Sequence, residues 1–383
     1  MTKMTSRERM LAAFTGKETD YTPCSIYFNG ALRIDGYDLS SPEGRTKCYL
    51  DLGTEPIINI PLPDVRTFPE VKTRVWTEEV EGEQFPILFK EYITPEGTLR
   101  QGVYRTADWP FGENIPFPGN DHCASNNYEP LIKSPDDVAA FKYLWAKPTE
   151  QDIEEFGDSI NGLFGLADKY SVITRATVGQ GLAGLMFVMG AGNFVLFAVD
   201  YPGAFKELAE FEHLMTLERM KIADYYGVDL FKRFGGYEQT NFFSPSIYDD
   251  IVMPMAKKEV AEAAGIGRPM YYRVVTGMKP LLGRIAEIGF DCVEGFEPEL
   301  SNCTNEDIKK VLGGTSVIWT GVSSPVSLGA ADDESTRAAV RNAMEVFENA
   351  GFILGVTNSI RPHFNWNNTL AMVDEWKKIV GLV

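Results

Sequence analysis

Eight short apolar runs, each bounded by turn residues, recur along the chain and set its architecture. They are PCSIYF at 23–28, EPIINI at 55–60, SVITRATV at 171–178, VDLFKRF at 228–234, PMYYRVV at 269–275, FDCVEG at 290–295, SVIWTG at 316–321 and FILGVT at 352–357. Between most of them lie stretches with helical spacing, as at 203–226, 249–265, 279–288, 304–312 and 332–350. Strands apolar on both faces that alternate with helices belong to a parallel sheet covered on both sides. Eight such units close most naturally into an α/β fold, the (β/α)8 TIM barrel, with an open doubly wound sheet as the alternative. Ahead of the first run, Thr5 and Glu8 form a capping box before Met10, Leu11 and Phe14, which predicts an N-terminal helix ending near Gly16.

The stretch 64–148 breaks this rhythm. Its alternating segments KTRVWTEEV and FPILFKEYIT and the turn Thr94-Pro95-Glu96-Gly97 predict a β-hairpin insertion between the second and third strands of one domain spanning 1–383. Loops that follow barrel strands sit at the catalytic face, so the insertion is expected to cover the pocket; the plainer reading is that it only lengthens the domain.

Charge narrows the partners. With 36 Lys+Arg against 54 Asp+Glu, the net charge of −18 repels phosphate backbones and anionic lipid, so neither nucleic acid nor membrane is expected. The opening MTKMTSRERMLAAF has no continuous apolar core of a signal peptide, and no run of about 18 apolar residues follows, so a cytoplasmic location is expected. Cys24, Cys48, Cys123, Cys292 and Cys303 are scattered without a C-x-x-C pair and read as reduced, buried thiols.

In such a barrel the site is built at the C-terminal ends of the strands. Tyr27 and Asn29 follow the first run, Tyr237 and Glu238 the fourth, Tyr272 and Arg273 end the fifth, Glu294 and Glu297 the sixth, and Asn358, Arg361 and His363 the eighth. Glu238 lies in GGYEQT, where Gly235 and Gly236 would let the backbone turn and present a carboxylate at the rim. Arg273 sits inside an apolar strand; a buried guanidinium demands an acceptor, either an anionic substrate or a structural partner such as Glu238 or Glu294. Glu294 and Glu297 are candidate acids, bases or metal ligands, and His363 is one of only three histidines. No Gly-rich phosphate loop, H-E-x-x-H or G-x-S-x-G occurs, and no metal site of familiar spacing is read.

Five segments carry a likeness: R-E-R-M-L-A-A-F-T-G-K-E-T-D-Y-T-P at 7–23, T-P-E-G-T-L at 94–99, M-G-A-G-N-F-V-L-F-A-V-D-Y-P-G-A-F at 189–205, F-F-S-P-S-I-Y-D-D-I-V-M-P at 242–254 and G-F-I-L-G-V-T-N-S-I-R-P at 351–362. In order and spacing they resemble the uroporphyrinogen decarboxylase superfamily over nearly the whole chain, which implies the same barrel. The decarboxylase itself carries an R-Q-A-G-R-Y-type stretch whose arginines hold porphyrinogen carboxylates; C-S-I-Y-F-N-G-A-L-R at 24–33 stands here instead. The T-P-E-G turn and the insertion look like the corrinoid-dependent methyltransferase branch, which moves a methyl group between a small substrate and cobalamin carried by a corrinoid-binding partner protein. Thiol-methylating members of that branch hold zinc through H-x-C-G after strand five and a G-C pair after strand eight. The first region reads R-V-V-T-G here and Asn358 stands in the second, so the usual zinc ligands are absent.

The resemblance therefore implies the demethylating direction: a small methyl donor, such as an aromatic methyl ether, gives its methyl to cob(I)alamin on the partner. Glu238, Tyr272 or His363 would donate a proton to the leaving oxygen, and Arg273 or Arg361 would fix a carboxylate or phenolate, with Tyr27, Asn29, Tyr237 and Asn358 lining the site. A metal held by Glu294, Glu297, Glu238 or His363 would replace the acid. Two other classes stay open: a decarboxylase or lyase of a small acid with Arg273 as anchor, and a barrel that binds without turnover.

Overall fold

The computed structural model describes residues 3–63 and 66–383; Asp64, the expected start of the insertion, lies outside them. Among the described residues eleven strands are present: β1 (Ile57–Asn59), β2 (Lys72–Glu78), β3 (Ile87–Thr94), β4 (Gly97–Tyr104), β5 (Asn127–Glu129), β6 (Ile173–Gly179), β7 (Leu230–Phe234), β8 (Met270–Arg273), β9 (Cys292–Glu294), β10 (Val317–Val322) and β11 (Phe352–Val356). The chain divides into two compact units, one of residues 1–61, 157–178 and 220–383, the other of residues 62–156 and 179–219.

In the first unit, seven strands form one sheet in the order β1-β6-β7-β8-β9-β10-β11. Each pair with a defined register is parallel. The order never reverses, unlike that of a doubly wound sheet, so the sheet is TIM-barrel-like. The first apolar run, 23–28, is not a regular strand. Isolated parallel bridges join Cys24 to Leu354 and Phe28 to Ile360. Pro23 cannot donate but accepts from the Leu354 N–H at 2.9 Å, and the Ser25 N–H donates to Leu354 O at 2.9 Å. On its other side, the Glu55 N–H, just before β1, donates to Cys24 O at 2.7 Å. The run thus bonds to both edges of the sheet without meeting the spacing of a ladder.

The helix Ser6–Phe14 starts on the expected capping box: Thr5 Oγ1 accepts from the Glu8 N–H at 3.2 Å, and Glu8 Oε2 accepts from the Thr5 N–H at 2.8 Å. Its Met10, Ala13 and Phe14 pack into one cluster with Ile173, Leu230, Tyr271, Cys292, Val317, Trp319 and Ile353. The buried Arg9 anchors it, Nε to Asp20 at 2.6 Å and Nη1 to Glu55 at 2.7 Å.

In the second unit, β2-β3-β4-β5 form an antiparallel sheet. The predicted hairpin is its centre, with Ile87 opposite Tyr104 and Thr94 opposite Gly97 across the Pro95-Glu96 turn. Leu88, Val103, Trp109, Ile115 and Cys123 make its own core. Among the described residues no single helix is long and apolar enough to cross a membrane; Leu182–Met189 and Ala191–Asp200 reach that length only together, bent by 113°.

Candidate active site

Side chains two residues apart on a strand share a face. Ile173, Leu230, Tyr271, Cys292, Val317 and Ile353 all belong to the inward core cluster. Two positions further toward the C-terminal strand ends stand Arg175, Lys232, Arg273, Glu294, Trp319 and Gly355. The inward face therefore changes within one step from a packed apolar layer to a charged one. Gly355 is required by that layer: a Cβ there would lie 2.4 Å from Trp319 Nε1, which donates to Ser25 O at 3.0 Å.

Above the core lies a cavity of about 390 Å³, lined wholly from the first unit. Tyr27, Ser40 and Asn59 on its wall are exposed, whereas Arg175, Glu294 and Trp319 are buried, so the cavity runs from an open mouth to a charged floor. Volumes of about 300–1,000 Å³ suit small molecules. Arg175 Nη1 donates to Tyr271 Oη at 2.6 Å, while its buried Nε has no partner. Glu294 takes Arg273 Nη1 on Oε1 at 2.5 Å, and its buried Oε2 has none. No hydrogen bond or ion pair joins Lys232 to a described residue; its ammonium lies 5.9 Å from the Phe234 ring. Burial first, and then the Arg175 charge, pull Lys232 down to about 7, against the opposing pull of Glu294. A chain of net charge −18 thus concentrates Arg175, Lys232 and Arg45 around a cavity holding one carboxylate, itself already paired.

The expected site residues separate into groups. Tyr27 and Glu294 line the cavity, and Arg273 is held by Glu294, with Nη2 donating to Thr357 O at 3.3 Å. The ion pair with Glu294, one of the two roles open to Arg273, is present. Glu238 and Tyr272 sit on the other face of the sheet. Arg233, one residue past Lys232, points outward, donating through Nη1 and Nη2 to both Glu238 oxygens and through Nε to Glu259 at 2.6 Å. Tyr272 Oη donates to Glu238 Oε2 at 2.6 Å, and its ring stacks on Phe290 at 4.6 Å. Glu238 is 1 % exposed, not presented at a rim. Gly235 serves close approach rather than a turn, since a Cβ there would fall 2.0 Å from the Tyr272 ring.

Glu297 is buried; burial pushes its carboxyl up to about 7, against the lowering influence of the Ser323 and Thr357 hydroxyls. One of its oxygens accepts from Thr357 Oγ1 and the other has no partner. Tyr237 is half-buried against Phe234 and Phe242. Asn29 Oδ1 accepts from the Ala31 N–H at 2.9 Å, and Asn358 Oδ1 from the Ser359 N–H at 2.8 Å, so both serve local turns. Arg361 and His363 are exposed, His363 edge-on to Phe364 at 4.8 Å. Arg175 and Lys232 were missed by the sequence reading. Their signal, a basic residue inside an apolar strand, is the one that singled out Arg273.

Among the described residues no three His, Cys, Asp or Glu side chains gather to hold a metal. The five cysteines are buried; burial holds Cys48 and Cys123 up at about 11 and raises Cys24, Cys292 and Cys303 as well. Among the described residues none of them gathers with two further Cys, His, Asp or Glu side chains, so they do not make the four-ligand set of a structural zinc site.

Residues 121–379 match the family described as uroporphyrinogen decarboxylase (URO-D). Among solved structures, the chain is similar to a methyltransferase from Methanosarcina mazei, with 15% identity, a TM-score of 0.60, and coverage of 98% of this chain and 99% of that one. A B12-independent methionine synthase from Shewanella sp. W3-18-1 is similar over 57% of this chain and 64% of its own, with 9% identity and a TM-score of 0.42. No curated protein matches the chain significantly. Because the family match spans more than half of its length, the chain belongs to the uroporphyrinogen decarboxylase (URO-D) family, whose TIM-barrel-like scaffold its parallel sheet builds.

Proposed function

We propose that the protein is a methyltransferase that takes the methyl group from a small methylated donor, such as an aromatic methyl ether, and passes it to cob(I)alamin on a partner corrinoid protein. The observation that carries this reading is the cavity itself: a polar, cation-rich pocket of about 390 Å³ above the apolar core, with an open mouth. Such a pocket suits a small polar donor and the negative charge that appears when a carbon–oxygen bond breaks. It is too small to enclose a corrin ring, so the corrinoid would present itself at the mouth, supplying the cobalt(I) electron pair that takes the methyl carbon.

The chain's own residues bind and orient the donor. Its methyl must face outward, which places the ether oxygen near Tyr27 and Asn59 and the remainder of the molecule against Arg175, Lys232 and Trp319. As the carbon–oxygen bond breaks, its electron pair passes to oxygen, giving a phenolate whose conjugate acid has a pKa of about 10. The Tyr27 hydroxyl can donate a hydrogen bond to that oxygen, and general acid help of this kind supplies about 10²–10⁴-fold. The arginines stay protonated and contribute charge, not a proton.

The test is to mix the protein with reduced corrinoid protein and a panel of methoxylated aromatics while following the cob(I)alamin absorbance. Loss of that band only with a methylated donor supports the reading; an unchanged band across the panel removes it. A second reading, decarboxylation of a small acid, is favoured by the same cationic floor. It requires carbon dioxide release without any corrinoid.

A further inference from the structure

We propose that the floor of the cavity is a carboxylate site: Arg175 and Lys232 hold a carboxylate group of the substrate, so the methyl donor is a small organic acid bound as its anion. The inference rests on the orientation just given, in which the methyl end faces the mouth, and it names what the opposite end must carry.

Three observations converge on the floor. Arg175 is 9 % exposed, spends Nη1 on Tyr271 Oη, and leaves its Nε buried without a partner. A buried donor with no acceptor carries a desolvation penalty, larger when it is charged, and a ligand oxygen there relieves it. Lys232 faces the same space with no hydrogen-bond or ion-pair partner among the described residues. The one carboxylate on the wall, Glu294, binds Arg273 through Oε1 and also acts on Arg175 and Lys232, so a single negative charge stands against three cations and the floor stays net positive. A planar carboxylate with two oxygens can meet one guanidinium and one ammonium together, which a neutral ether, alcohol or amide cannot do with charge. A cationic amine would be repelled.

Binding such an anion changes the protonation of Lys232. Acting on its ammonium are Arg175 on β6, Arg273 on β8 and Glu294 on β9, with Tyr27 and Arg45 on the same cavity wall and Tyr271, its register partner on β8, bonded to Arg175. Burial, then Arg175, and more weakly Arg273, pull the amine down from its ordinary value to about 7 against the opposing pull of Glu294. A carboxylate beside it favours the charged form, so the bound amine titrates higher. Affinity is then flat below about pH 7 and falls by up to about tenfold per pH unit above it, because each binding event must take up a proton.

Calorimetry on the full chain without any corrinoid tests this, using 3-methoxybenzoate, 3-methoxybenzamide and 3-methoxybenzyl alcohol as probes. We expect the acid to bind at least about tenfold more tightly than either neutral probe at pH 7. At pH 8 it should take up close to one proton, read from the change in heat between phosphate and Tris buffers. Lys232→Met should lower the affinity for the acid at least about tenfold more than that for either neutral probe and abolish the proton uptake, with far-ultraviolet circular dichroism confirming the fold. Equal binding of acid and amide, absence of acid binding, or proton uptake that survives in Lys232→Met would each overturn the site. Because no corrinoid is present, failure here is separate from failure of methyl transfer: an enzyme that demethylates only neutral ethers keeps its function and loses this inference.

Discussion

At the residue scale, Lys232 is a titratable group of the cavity floor. Its amine is held below the ordinary lysine value, so the folded chain binds that proton less tightly than the unfolded chain does. Between about pH 7 and the unfolded lysine value of about 10.4, the unfolded state carries more protons, and stability rises with pH across that window. Below about pH 7 both states are charged and the penalty is fully present. Melting temperatures of the wild type measured at pH 6, 7.5 and 9 should therefore climb relative to those of Lys232→Met, which lacks the group; parallel profiles would show that Lys232 titrates normally. Gly355 gives a second residue-scale prediction. A methyl group there drives into Trp319, and overpacking of this kind costs about 1–3 kcal/mol. Gly355→Ala should lower the melting temperature and shift the tryptophan fluorescence, whereas an unaltered spectrum would mean that the indole does not lie against this glycine.

Legibility at this scale followed burial rather than chemistry. Arg273 stood out as a guanidinium in an apolar strand, and its pairing with Glu294 was one of the two roles foreseen. Arg175 and Lys232 carried the same signal in SVITRATV and VDLFKRF, but they were read as part of the apolar runs. In KRF two adjacent basic residues point to opposite faces, so one lines the cavity and the other serves the helix layer. Only the identity of the inward core neighbours, Leu230 against Phe231, separates them, and a sequence with apolar residues at both positions hides it.

At the scale of elements, Arg233, Glu238, Glu259 and Tyr272 tie β7, the loop that follows it, the helix Met253–Ile266 and β8 into one buried network. A carboxylate that sequence logic places at a rim is instead drawn back by the guanidinium five residues before it. Removing one partner of a buried ion pair costs about 3–5 kcal/mol, because the other charge stays behind. Glu238→Gln should thus lower the denaturation midpoint strongly while leaving ligand affinity in the refolded protein intact. A variant of normal stability that no longer turns over would return Glu238 to the chemistry. The N-terminal helix obeys the same rule: its capping box was plain in the sequence, but the Arg9 contacts to Asp20 and Glu55 span up to 46 residues and no local pattern encodes them. The run 23–28 illustrates the converse, being apolar enough to read as a strand yet bonding only at isolated bridges where Pro23 and the spacing of partners permit.

At the scale of the whole molecule, the strand–helix rhythm encoded the parallel sheet, since each crossover must bury a face. The antiparallel sheet was visible only as a single hairpin, because β5 joins it through a two-pair, shifted register far from the turn. Charge also matters at this scale: a chain of net charge −18 carries a cationic cavity floor. Such a field slows the approach of an anionic donor and is screened by salt, whose Debye length is about 10 Å at 0.1 M. The association rate of the acid probe should rise with ionic strength between 20 and 200 mM in stopped-flow mixing; a falling rate would mean that the mouth presents local positive charge. The central claim is the fate of one carbon atom, and tracing it is the most direct measurement. Incubated with a 13C-methoxyl aromatic acid and reduced corrinoid protein, the enzyme is predicted to place the label on the corrinoid protein and release the unlabelled hydroxy acid in equal amount. Label retained on the aromatic product with carbon dioxide released, or label delivered to an added thiol, would contradict the account.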